Sequence, residues 1–295
     1  MKPWLRKGCL ACAGLAALGF LLLCVLGVVF TLQGLAVERE PRELTRRIDP
    51  RPSDGAPPPP GRLVLSLSSA AVTLTGGPAG SPIRVESEFD PEVFLLEQSH
   101  EEQPDGSWTH RIDFHERRLL HVSVIQVWLG RRAPRVRITV PRDLRFALEA
   151  RMDGGYLTFE LGGMAVTSAE LTLVRGVLEL DADEPLQAPM ERLIASGRIG
   201  TMRLRSVGNA SPKLLDVTHG IGAADLHLGG AWAGDADVRF VLAFGGGALW
   251  LPDDVRVELD GEDSPPPLDA GPDELPRPTL RVHTHFDAGE IRIIE

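Results

Sequence analysis

Cysteine is nearly missing from this 295-residue chain: Cys9, Cys12 and Cys24 are the only three, and none follows residue 24. Whatever folds beyond that point has no disulfide to brace it and must rely on its own core. Asparagine occurs once, at Asn209, which excludes the asparagine ladder of a leucine-rich repeat. Asn-Gly pairs, the strongest short hairpin signal, are absent altogether. Aromatics are sparse (10 Phe, 5 Trp, 1 Tyr), and basic residues are outnumbered, 31 Lys+Arg against 41 Asp+Glu for a net charge of −10. That deficit excludes a general nucleic-acid binder, whose affinity comes from neutralising phosphates. At 43% hydrophobic and 24% charged, the chain is neither disordered throughout nor collagen-like.

One feature is present in excess. No charged residue separates Lys7 from Glu38, and residues 9–32 are almost wholly apolar. A helix of that length would run roughly 36 Å, enough to cross a hydrocarbon core. A cleaved signal peptide is the alternative, with Gly34-Leu35-Ala36 as a small-x-small site, but its apolar region usually covers only about 7–15 residues. The expected layout is a cytoplasmic tail at 1–8, a transmembrane helix at 9–32, a Pro-rich linker at 33–61 and an external domain at 62–295. Lys2, Arg6 and Lys7 set the orientation: a single-pass protein of the cell (inner) membrane, N-terminus cytoplasmic, its ectodomain periplasmic or extracellular. Seven prolines between Pro41 and Gly61 favour an extended spacer. A second Pro-rich stretch, 262–278, is expected to be a disordered insertion.

Beyond the linker, apolar residues alternate, as in Leu63-Val64-Leu65-Ser66-Leu67 and Arg135-Val136-Arg137-Ile138-Thr139-Val140. No segment there carries a helical stripe, so the domain is expected to be all β. A Gly-x-apolar-x-apolar pattern begins at Gly155, Gly176, Gly200, Gly222 and Gly247, at intervals of 21, 24, 22 and 25 residues, with a further copy at Gly289. A period of 20–25 residues with turn glycines points to a stacked solenoid. An antiparallel sandwich with regular turns is the alternative.

The run LVLSLSSAAVTLTGG from Leu63, the segment PRVRITVP at 134–141 and the glycine repeats resemble the bacterial putative-adhesin (toast-rack) domain family. The ending GGGALWLPDDVRVEL carries the likeness furthest. The resemblance implies a right-handed β-solenoid-like fold and no known catalytic centre, so no functional residue is carried over from it. It spans roughly residues 62–295 and rests on structural motifs.

Candidate chemistry is thin. His283 and His285 share one strand face but lack further ligands for a metal. The triple glycine 245–247 has no Lys-Ser or Lys-Thr of a phosphate loop after it. No catalytic residue, cofactor or metal is expected. Residues 110–145 form a basic island of nine arginines, in which Arg131, Arg132, Arg135 and Arg137 are candidates to meet an acidic glycan or an acidic protein surface. Trp232 and Trp250 are candidates to anchor a partner or stack on sugar rings. The expected function is a membrane-anchored, non-enzymatic binding or scaffolding module of the cell envelope, adhesin-like or stress-related. Its partners would be the bilayer through residues 9–32 and an envelope protein or acidic glycan. The alternative is a polysaccharide-active β-helix enzyme.

Overall fold

Alternating burial runs through nearly every strand, and it organises the domain. The structure, a computed structural model, describes residues 42–46 as backbone, together with 60–117, 133–260 and 277–294. The apolar run 9–32, Arg131, Arg132 and most of the insertion at 262–278 lie outside the described residues. Every described residue belongs to one unit, Pro41–Arg118 with Ala133–Glu295. Among the described residues no helix is long and apolar enough to cross a membrane.

The strands are β1 (Arg42–Arg46), β2 (Gly61–Gly77), β3 (Ile83–Glu88), β4 (Phe94–Glu102), β5 (Trp108–Glu116), β6 (Arg135–Pro141), β7 (Phe146–Glu160), β8 (Val166–Asp181), β9 (Arg192–Arg205), β10 (Leu214–His227), β11 (Ala236–Trp250), β12 (Arg256–Asp260) and β13 (Thr279–Ile294). A 3-10 turn spans Val207–Asn209. All the strands join one sheet, so the domain is all β. Its body is the order β2-β7-β8-β9-β10-β11-β13, and every neighbouring pair in it is parallel. Parallel pairing removes the antiparallel sandwich, because sequential strands joined by hairpins run in opposite directions.

Each body strand is long, and a row of glycines divides it into two arms. Gly155, Gly176, Gly200, Gly222, Gly245 and Gly289 stand opposite one another across successive strands. Before the row the buried column includes Ala150, Leu171, Ala195, Val217 and Phe240; after it come Leu157, Leu178, Met202 and Ala224. The arms of one strand also meet: the Phe240 ring and the Leu242 side chain lie at contact distance from the Cβ position of Gly247. Each buried aliphatic side chain adds roughly 1.5–3 kcal/mol, and these columns supply the core that cystines do not.

The glycine at the fifth place is Gly245, not the Gly247 of the sequence pattern. Gly247 instead faces Ala224, two residues further along. A shift of two leaves a pleat's inward and outward faces unchanged, so GGGALWL fits either frame. The backbone separates them: Gly245 has φ +132°, in line with Gly222 at +135° and Gly200 at +136°. Gly247 has no such φ.

Glycine is required in this row for two reasons. At Gly200 the φ is one that L residues avoid, and a Cβ would fall on the carbonyl oxygen of Gly176 in the strand before. The same collision with the preceding strand recurs along the row. β2 has Ala70 at this place. On its outer side β5 pairs with residues 62–67 and β6 with 71–77, so no strand described there faces Ala70 and its methyl is tolerated.

The N-terminal edge is covered by β6, β3 and the β4–β5 hairpin. There Phe114 stacks on Phe94 at 5.1 Å and meets Phe89 edge-on at 5.4 Å. Trp108 fills the space above Gly61. The hairpin orders 94–116. Arg42–Arg46, expected in the linker, pairs with β3 instead. At the other edge β12 pairs with Thr279–His283 of β13, and Phe286 and Ile293 are exposed.

Candidate functional site

The outward side chains of parallel, in-register strands form rows across the sheet, so one residue choice per copy builds a surface. Three residues after the glycine row stand Glu179, Arg203 and Asp225. Arg203 bonds Glu179 at 2.8 Å and lies 3.8 Å from Asp225. On the other arm Arg62–Glu149, Arg192–Glu170, Arg239–Asp216 and Arg281–Asp237 pair in the same way, at 2.8–3.7 Å. Such half-exposed pairs contribute little each.

Five residues after the glycines the row changes character. Asp181 and Arg205 stand opposite each other, as do His227 and Trp250. The His227 and Trp250 rings stack at 3.7 Å with an interplanar angle of 8°. Burial pushes the His227 imidazole below its ordinary value; Asp225 and Asp181 oppose this and Arg205 adds to it. The ring is therefore neutral near pH 7. With Ser206, Asn209, Gly229, Gly230 and Leu251, the residues Arg205, His227 and Trp250 line a cleft of about 390 Å³, near the lower end of the usual 300–1,000 Å³ for ligand sites.

The cleft wall is pre-built. Asn209, the single asparagine, donates from Nδ2 to the Ala182 carbonyl at 2.8 Å and accepts from the Ala231 amide at 2.9 Å, tying together three successive turns. Ser206 enters the 3-10 turn in a left-handed conformation (φ 53°, ψ 36°), and its side chain makes no capping hydrogen bond. Ser211 shares the positive φ, but its hydroxyl accepts from the Ala233 amide at 2.8 Å.

The sequence candidates fare unequally. Trp250 lines the cleft, half-buried, although its place in the repeat shifts with the glycine frame. Trp232 is no surface anchor: it is 7% exposed, donates from Nε1 to the Leu228 carbonyl at 2.7 Å and packs over Gly208. Arg135 and Arg137 are exposed on β6 but face Glu88 and Glu86 of β3, so this part of the basic island is half of a mixed-charge strand pair. Arg131 and Arg132 are outside the described residues. His283 and His285 are held singly by Asp260 and Asp287 at 3.1 Å. Among the described residues no group of three or more His, Cys, Asp and Glu is placed to hold a metal. His227 reads in the sequence as an isolated histidine, and Arg205 and Ser206 carry no signal there, because only the corrected frame puts Arg205, His227 and Trp250 at one repeat position.

No protein-family model matches the sequence, and no curated protein does. Among solved structures, a putative cell adhesion protein from Clostridium sporogenes is similar at 14% identity and TM-score 0.41, over 86% of this chain and 99% of that one. A putative adhesin from Bacteroides fragilis is similar at 10% identity and TM-score 0.36, over 88% and 98%.

Proposed function

We propose that the chain is a membrane-tethered, exoplasmic β-solenoid of the right-handed, toast-rack type that binds an envelope component without transforming it. The observation that carries this reading is the cleft, where Arg205, His227 and Trp250 form a row on a rigid parallel ladder, beside turns locked by Asn209. A binding site gains affinity when its groups are held in place beforehand. The parallel, in-register strands support the solenoid, and right-handed crossover is the overwhelming rule for parallel connections. The apolar run 9–32 supports the tether.

Two measurements test this. Reporters fused after Glu295 are expected to be active only when the reporter requires export; activity of a cytoplasm-specific reporter reverses the topology. Purified full-length protein is expected to co-sediment with isolated envelope material and to release no soluble fragments from it. Sustained release of reducing ends would establish the polysaccharide-active enzyme instead.

A further inference from the structure

Arg205 differs from the arginines around it. Arg203, two residues earlier on the same strand, has carboxylates on both sides. Arg205 has Asp181 directly opposite, yet among the described residues no carboxylate lies within ion-pair distance of its guanidinium. Asp181 Oδ1 is buried and makes no hydrogen bond; its charge acts on His227 in the cleft, but it does not bond the Arg205 guanidinium, whose N–H donors stay available. The exposed cation is left at the mouth of the cleft, whose lining contains no acidic residue.

The remaining lining is rich in donors and flat surfaces. The indole N–H of Trp250 and one N–H of the neutral His227 ring are donors, and the Ser206 hydroxyl, unused in capping, can turn either way. Ser206 is also held in a backbone conformation that non-glycine residues enter at a cost. Strain of that kind concentrates at ligand sites, and no hydrogen bond of the Ser206 side chain offsets it at the turn. The stacked rings offer apolar edges, and Gly229 leaves open space where a side chain would stand.

We propose that this cleft binds one anionic sugar residue, a ring bearing a carboxylate or a phosphate, with Arg205 on the oxyanion and the Trp250–His227 stack against the ring. A planar guanidinium fork suits either oxyanion. A bare ion would leave most of the cavity unfilled, whereas a sugar ring supplies hydroxyl acceptors for the donors and C–H surface for the aromatics. The proposal rests on the binding-module reading and narrows it to a ligand class.

The test is calorimetric titration of full-length protein in detergent with methyl glucuronide, glucose 6-phosphate, methyl glucoside, acetate and inorganic phosphate. At least one anionic sugar is expected to bind ten-fold or more tighter than both the neutral sugar and its own bare ion; which one does so separates uronate from phosphate sources. Arg205→Gln, an exposed substitution, is expected to bring that preference below two-fold. Trp250→Ala is expected to weaken anionic and neutral sugars alike. Arg135→Gln, remote from the cleft, is expected to change nothing. Equal binding of neutral and anionic sugars overturns the proposal, as does an anionic preference that survives Arg205→Gln. Absence of saccharide binding also overturns it. If the protein still co-sediments with envelope material without turnover, the broader function survives that failure.

Discussion

At Gly200 and its counterparts, one missing methyl group decides whether two neighbouring strands can approach. Gly200→Ala places a Cβ against the Gly176 carbonyl at a φ of +136°. It is expected to cost about 2–5 kcal/mol, read as a lower denaturation midpoint in urea. Gly246→Ala, one residue past the row in β11, meets nothing within 4 Å and is expected to shift stability by no more than about 0.5 kcal/mol. Equal effects would show that the row is not under this constraint. A second exchange of size sits nearby. His219 is buried in the space that Gly197 leaves, and its Nε2 lies 3.1 Å from the Gly200 carbonyl while Nδ1 has no partner. Burial pushes this imidazole below its ordinary value of 6.5, so the unfolded chain takes up a proton more readily than the folded one. Stability is then fully present above about pH 6.5 and falls as the pH drops through that value. His219→Met is expected to flatten this acid limb in melting curves recorded from pH 7.5 to 5.5. An unchanged slope would assign the limb elsewhere.

At the scale of the strand, register turns single residues into rows. Glu179, Arg203 and Asp225 occupy one place in three neighbouring strands, so the cation sits between two anions. Arg203→Gln removes half-exposed pairs and is expected to cost less than about 1 kcal/mol. Arg203→Glu sets three like charges side by side and is expected to cost more than Arg203→Gln. Chemical denaturation of both variants at low and high salt checks this, since salt should narrow the gap between them. A gap insensitive to salt would mean that packing, not charge, distinguishes the variants. The Asn209 staple works at the same scale, joining turns that are 22 to 27 residues apart in the chain.

For the molecule as a whole, stability comes from stacked aliphatic columns closed at the N-terminal edge by the β4–β5 hairpin and its phenylalanines. The described residues contain no cysteine, so the melting transition of this domain is expected to be the same with and without a thiol reductant. A downward shift on reduction would contradict this dependence on core packing alone. Neighbouring strands pair residues about one repeat apart, and most close approaches are long-range ones. Folding is therefore expected to be slow for the size of the domain, as for other topologies dominated by non-local pairing.

Alternation of apolar and polar residues determined the all-β class and most strand positions, because a two-residue pleat imposes its period locally. The recurrence of glycine every 21 to 24 residues between Gly155 and Gly222 likewise marked the row without any tertiary information. The choice between Gly245 and Gly247 needed the structure, since both frames satisfy the same alternation and only the facing strand separates them. The hairpin at 94–116 needed it too, because its core partners lie on β2 and on the connection before β4. So did the cleft. Arg205, Ser206, Asn209, His227 and Trp250 carry no common sequence signature, and they meet only because in-register parallel strands bring positions one repeat apart to within a strand's width.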